Sequence, residues 1–178
     1  MGITSVLPNW NVRRHDPADA ARIVQEMAAG GVTRALLPPS ICECLAGAPD
    51  LPDLKAIFTG GGPVFPDLLE RLTTRFGSAG IVAVYGSTEA EPIAHLHVRD
   101  IEARDWTAMK SGGGLLACKP IADISLQIRD AEIIVTGAHV NKGYLDSRQD
   151  ASNKLTIDGE IWHRTGDAGR IDAQGRLW

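Results

Sequence analysis

Between Val32 and Val84 the chain repeats one pattern: a short apolar run, a Gly or Pro stop, then a segment with helical spacing. The runs are Val32 to Leu37, stopped by Pro38-Pro39; Leu54 to Phe58, ended by Gly60-Gly61-Gly62; and Gly77 to Val84, which leads into Tyr85-Gly86. Pro66 to Arg75 places Leu68, Leu69 and Leu72 on one helical face. Upstream, Ala20, Ile23, Val24 and Met27 form a stripe on a predicted helix from Ala18 to Ala29. Asp16 and Pro17 suit its start, and Gly30-Gly31 its end. Ser40 is expected to cap a short helix running through Ala46. Strands that alternate with helices pair in parallel and are covered by the helices. Residues 1–99 are therefore expected to form a partial parallel sheet with flanking helices.

After Arg99 the pattern changes. Ser111 to Leu116 is Gly-rich. Ile121 to Arg129 alternates, with Ile124, Leu126 and Ile128 on one face, and Glu132 to Thr136 reads as a further strand. Val140 to Leu145 reads as a connector. Ile161 to Arg164 and Arg170 to Trp178 read as a hairpin around Thr165-Gly166-Asp167, with a second turn at Ala173-Gln174-Gly175. Short strands of this kind predict a small antiparallel β-barrel-like subdomain over residues 100–178. The fold class is α/β.

Composition sets the outer limits. The 178 residues are 44% hydrophobic and 22% charged, with a net charge of −4. That is enough apolar material for a core, and the charge balance argues against a nucleic-acid footprint. No stretch reaches the roughly 18 consecutive apolar residues of a membrane span. Met1 to Trp10 lacks the basic and apolar regions of a signal peptide. Three cysteines, an odd count, point to reduced thiols and a cytoplasmic protein. Cys42-Glu43-Cys44 lacks a second Cys or His pair at metal-site spacing. His95-Leu96-His97 reads as surface or packing histidines.

The chemistry concentrates at strand ends, where open α/β sheets bind ligands. Tyr85-Gly86-Ser87-Thr88-Glu89 is a poor core sequence. Tyr85 can lie flat on a base, Ser87 and Thr88 can donate to phosphate oxygens, and Glu89 can hold Mg²⁺, which takes oxygen ligands. The bland alternatives are a half-buried core aromatic for Tyr85 and a solvated charge for Glu89. Gly60-Gly61-Gly62-Pro63 reads equally as backbone that a flat ring can approach or as a strand-to-helix turn. Asp167 reads as a two-oxygen acceptor or as a turn residue.

These pieces resemble, in this order, the adenylate-forming superfamily of acyl-CoA synthetases, fatty-acyl-AMP ligases, luciferases and peptide-synthetase adenylation domains. The linking segment Gly137 to Leu145 (Gly-Ala-His-Val-Asn-Lys-Gly-Tyr-Leu) strengthens the resemblance. It implies ATP/AMP and Mg²⁺, with CoA or another thiol as acceptor. Gly60, Gly61, Gly62 and Pro63 would lie against the adenine and the acyl pocket. Tyr85 would stack on adenine, Thr88 would bind the α-phosphate, Glu89 would ligate the metal and Asp167 would accept from both ribose hydroxyls. Gly86 and Ser87 would form the turn between them.

The reaction implied is carboxylate plus ATP giving acyl-adenylate and pyrophosphate, followed by transfer to a thiol. The substrate leans towards fatty acyl groups. Gly113 to Lys119 is not a phosphate loop, because Cys118 and Pro120 stand where Gly and a hydroxyl are needed. It resembles the family's Gly-Lys-Pro turn with Cys118 in place of Gly. No segment matches the family's Lys-bearing phosphate loop, and the sequence ends before the hinge to its small Lys-bearing domain. The chain therefore reads as the later part of the large N-terminal domain, with no complete catalytic set beyond the support that Thr88 and Glu89 give to adenylation. Alone it is expected to be catalytically incompetent, and edges left open near Met1 to Trp10 are expected to favour self-association. The alternatives are a non-catalytic AMP or acyl-adenylate binding protein and a truncated structural remnant.

Overall fold

The computed structural model describes residues 4–9 and 19–178. The expected helix start at Asp16-Pro17 lies outside them. Residues 4–9, read as part of an edge strand, form no strand. The chain divides into two compact units, one of Met1–Val82 with His97–Arg99 and one of Ala83–Leu96 with Asp100–Trp178.

The first unit begins with α1 (Ala20–Ala29), whose stripe of Ala20, Ile23, Val24 and Met27 is buried as its spacing requires. Gly30 caps it. Strands β1 (Arg34–Leu37) and β2 (Ala56–Thr59) pair in parallel from Arg34↔Ala56 to Leu37↔Thr59. The crossover between them contains α2 (Pro39–Ala46). Pro39 opens α2 after an extended Pro38, so Ser40 lies inside the first turn and is not the cap. Helix α3 (Pro66–Phe76) likewise starts on Pro66 and buries Leu68, Leu69 and Leu72. Each such fully buried Leu contributes about 2 kcal/mol of transfer free energy.

Strand β3 (Gly80–Ser87) is longer than expected, runs through Tyr85-Gly86-Ser87 and continues into the second unit. A two-residue turn, Thr88-Glu89, then returns the chain as β4 (Ala90–His97). The first sheet has the order β1-β2-β3-β4 and is mixed, since a two-residue link joins antiparallel strands.

The second unit also holds α4 (Ala103–Lys110), which the sequence reading left out. Its sheet has the order β5-β6-β8-β7, formed by β5 (Ile124–Arg129), β6 (Glu132–Gly137), β7 (Lys154–Ile157) and β8 (Glu160–Ala168), all antiparallel. This sheet is open and does not close into a barrel. Two tight hairpins build it. Asp130-Ala131 joins β5 to β6 and Asp158-Gly159 joins β7 to β8, with both residues of each turn at positive φ. Ile93, Ile124, Ile133, Val135, Val140 and Leu177 form the core, and Tyr85, Leu126 and Ile128 pack on it.

Thr165-Gly166-Asp167 is not a hairpin turn, as the sequence had suggested, but part of β8. The register passes from Ile134↔Arg164 to Glu132↔Ala168, so three residues of β8 lie opposite the single residue Ile133. The segment is a bulge, with Gly166 at φ +76°. The expected turn at residues 173–175 is present, closed by the Ile171↔Leu177 bridge.

Candidate nucleotide site

Two segments far apart in sequence meet within the second unit. The Tyr85 hydroxyl donates to Asp167 Oδ2 at 2.8 Å. Tyr85 is half-buried against the core, whereas Asp167 and Thr88 are exposed. Burial, with the Asp167 carboxylate beside it, pushes the Tyr85 phenol well above its ordinary pKa, so it remains a donor. Tyr85 is thus both a wall of the core and a neighbour of the predicted ribose ligand.

Gly86 is required at its place. A Cβ there would stand 2.8 Å from Ala90 O, inside contact distance of the returning β4 backbone. The Ser87 hydroxyl is buried without a hydrogen-bond partner. It lies close enough to weigh on the neighbouring Glu89 carboxylate, though outside hydrogen-bonding geometry.

Glu89 is tied to the linking segment. The Tyr144 hydroxyl donates to Glu89 Oε1 at 2.8 Å, and Asn141 N–H donates to Glu89 O at 2.7 Å. The Tyr144 bond is the main cause that lowers the Glu89 pKa below its ordinary value. The Tyr144 phenol is pushed up to about 12, by burial first and by Glu89 second. Lys154 Nζ stands 5.1 Å from the Tyr144 ring centroid, a cation–π distance. Buried His163 is held below its ordinary pKa, by burial first and Lys154 second.

The Asp167 bulge has its own support. Glu132 Oε2 accepts from Arg164 Nε at 2.8 Å and Nη2 at 2.6 Å, and its Oε1 accepts from Gly166 N–H at 3.1 Å. Thr165 Oγ1 donates to Ile133 O at 2.9 Å and accepts from Asp167 N–H at 3.1 Å.

The second unit therefore brings together Tyr85, Gly86, Ser87, Thr88, Glu89 and Asp167. Gly60, Gly61, Gly62 and Pro63 belong to the first unit, directly after β2. A Cβ at Gly61 or Gly62 would meet no atom within 4 Å, so the space over that backbone is open. No local sequence pattern marks Tyr144 or Glu132, because their partners Glu89 and Gly166 are distant in sequence. Among the described residues no group of three or more His, Cys, Asp and Glu could hold a metal, and no helix is long and apolar enough to cross a membrane. A single ionised Glu still suits Mg²⁺, which takes one or two carboxylates and completes its shell with phosphate oxygens and water.

Many known proteins resemble this chain in sequence or in fold. The model of the AMP-binding enzyme family matches residues 2–145. An olefin beta-lactone synthetase of Stenotrophomonas maltophilia is 30% identical, over 100% of this chain and 37% of that protein. A 2-succinylbenzoate–CoA ligase of Enterococcus faecalis is 28% identical, over 94% of this chain and 35% of that protein. Among solved structures, that of PA1221, an NRPS protein containing adenylation and PCP domains, matches with a TM-score of 0.69 at 25% identity, over 93% of this chain and 35% of that one. The chain thus spans about a third of the length of the relatives it matches.

Proposed function

The chain belongs to the AMP-binding enzyme family, and on that premise we propose that it is the nucleotide-holding part of an AMP-forming ligase, which activates a carboxylate with ATP. The observation that carries this reading is the Tyr85–Asp167 contact. It sets an aromatic face and an exposed carboxylate side by side, the pair that a base and its ribose need. Tyr85 stacks on adenine, Asp167 accepts from the ribose hydroxyls, and Gly86, Ser87 and exposed Thr88 form the turn that meets the α-phosphate. Glu89 holds Mg²⁺, kept ionised by the Tyr144 hydroxyl. A Mg²⁺ held there would offset negative charge on the phosphates. In the first unit, Gly60 to Pro63 offers backbone that a flat ring or acyl chain can approach, open over Gly61 and Gly62. The two parts expected at 1–99 and 100–178 divide instead at Val82, because Tyr85 to Glu89 fall in the second unit with Asp167.

The acyl substrate we favour is a fatty acid, the final acceptor a thiol such as CoA, and the compartment the cytoplasm. The names of the relatives support carboxylate activation in general; the CoA ligase name supports the thiol. The 178 residues taken alone are expected to turn over poorly, because no segment among them matches the family's Lys-bearing phosphate loop, which acts on developing phosphate charge. Self-association is expected through sheet edges such as β1, which among the described residues pairs on one side only.

A second acceptor is favoured by the Stenotrophomonas relative, which is matched by the whole chain. A β-lactone is the internal ester of a 3-hydroxy acid. The activated acyl carbon would then be attacked by the substrate's own hydroxyl, with AMP as the leaving group. Titration with non-hydrolysable acyl-adenylate mimics that differ only in a 3-hydroxyl separates the two acceptors. Tighter binding of the hydroxylated mimic supports the internal ester; equal binding supports the thiol. Titration with AMP and with ATP plus Mg²⁺ tests the parent reading. Saturable binding of both is expected, and a folded chain that binds neither contradicts it.

A further inference from the structure

A bulge leaves backbone groups outside the strand ladder, and something must satisfy them. In β8 one side chain from the neighbouring strand does so. Glu132, the first residue of β6, turns one carboxylate oxygen to Gly166 N–H and the other to the Arg164 guanidinium. These residues flank Thr165 on the bulge. Resting on the reading that Asp167 meets the ribose, we propose that Glu132 is the positioning residue of that site. Its carboxylate clamps Arg164 and Gly166 so that the bulge holds Asp167 beside Tyr85.

Three observations carry this. First, the clamp needs two acceptor oxygens. Both sides of the Glu132 carboxylate face donors, so an amide in either orientation sets a donor against a donor. Second, Glu132 is itself fixed. It closes the β5–β6 hairpin opposite Arg129, directly after the Asp130-Ala131 turn. Gly169 N–H donates to Ala131 O at 2.9 Å, which ties the exit of the bulge to the same hairpin. Third, the pair is poorly placed for a purely stabilising role. The Arg164 side chain is 41% exposed and that of Glu132 19%, and exposed ion pairs add little to stability. Geometry, more than charge, is what the contact provides.

The test uses Glu132→Gln and the exchanged pair Glu132→Arg with Arg164→Glu. Two quantities are read: amide hydrogen exchange at Gly166 and Asp167 in the ligand-free chain, and the ratio of affinities for AMP and 2′,3′-dideoxy-AMP. Glu132→Gln is expected to speed Gly166 exchange about tenfold and to shrink the ratio towards one, with little change in dideoxy-AMP affinity. The exchanged pair restores the ion pair but leaves the ratio low, because a guanidinium cannot accept from Gly166 N–H.

Unchanged exchange in Glu132→Gln, or an exchanged pair that restores the ratio, would overturn the proposal and reduce Glu132 to an ion-pair partner. Should the exchanged pair not fold, Glu132→Gln decides alone. Equal affinity of the unsubstituted chain for the two nucleotides overturns the ribose reading itself, and shows before any substitution is made.

Discussion

Tyr85 and Asp167 stand 82 positions apart in sequence and share a 2.8 Å hydrogen bond, phenol to carboxylate. The contact joins the last turn-ward residues of β3 to the bulge of β8. It also separates two roles for Tyr85. Tyr85→Phe keeps the ring and removes the bond, whereas Tyr85→Ala removes both. Base–aromatic stacking is worth about 1–3 kcal/mol. We therefore expect Tyr85→Phe to bind AMP within about threefold of the unsubstituted chain, and Tyr85→Ala to lose about 10- to 100-fold. Calorimetric titration checks this, and equal losses in the two variants would put the role of Tyr85 in the hydroxyl and not the ring.

Glu89 is kept ionised chiefly by Tyr144. A carboxylate whose folded pKa is lowered stays charged, and keeps its contribution, until the pH falls through that lowered value. Tyr144→Phe removes the donor and returns the Glu89 pKa towards its ordinary range. The acid limb of Mg²⁺-dependent ATP affinity is then expected to move to higher pH. Measuring that affinity from pH 4 to 7 in both chains is the check; an unmoved limb would mean that Glu89 does not carry the metal dependence.

Much of the first unit was legible in the sequence. The stripe Ala20, Ile23, Val24, Met27 and the face Leu68, Leu69, Leu72 are periodic, and periodicity reports which face is buried. Strand β4 was not legible, since Pro92 within it argues against a strand and the turn before it is Thr88-Glu89, without Gly. Helix α4 is short and half polar, and Asp105, its most buried residue, is a carboxylate. In the second unit the Gly of Thr165-Gly166-Asp167 drew the turn to the wrong place. The real turn, Asp158-Gly159, carries the stronger hairpin signal. The partners of the candidate residues were not legible: Asp167 reaches Tyr85, and Glu132 reaches Gly166, through the bulge of β8, while Tyr144 reaches Glu89 from a loop. Cys118, read as replacing a turn Gly, does adopt that conformation, at φ +74°.

The second unit also holds a buried ion pair. Asp105, 2% exposed, takes both Nη groups of Arg176 at 2.8 and 2.9 Å, and Arg176 Nε reaches Asp172 at 2.8 Å. Arg176→Met leaves the Asp105 carboxylate buried without its guanidinium. Breaking a buried pair costs about 3–5 kcal/mol, while replacing both partners by apolar groups costs far less. Urea unfolding should therefore show a large loss for Arg176→Met and a partial recovery on adding Asp105→Leu. No recovery would place the stabilising effect elsewhere.

His163 gives the fold a pH dependence of its own. It is buried, and its folded pKa lies below the ordinary value of about 6.5. Below that value the unfolded chain binds a proton that the folded chain resists, so stability is expected to fall as the pH drops from about 6.5 towards the lower folded value. Glu89 and Glu132, both lowered, lose their contributions only at more acidic pH. Urea midpoints at pH 7.5, 6.5 and 5.5 should decline in the unsubstituted chain and decline less in His163→Gln. Parallel declines would assign the slope to other groups.

The most direct test of the central claim is calorimetric titration of the chain with a hydrolysis-resistant acyl-adenylate mimic, beside Asp167→Ala. The account predicts saturable binding that the substitution weakens by about 1–3 kcal/mol, the worth of hydrogen bonds to a charged acceptor. Saturable binding that Asp167→Ala leaves unchanged, or no binding by a folded chain, would contradict it.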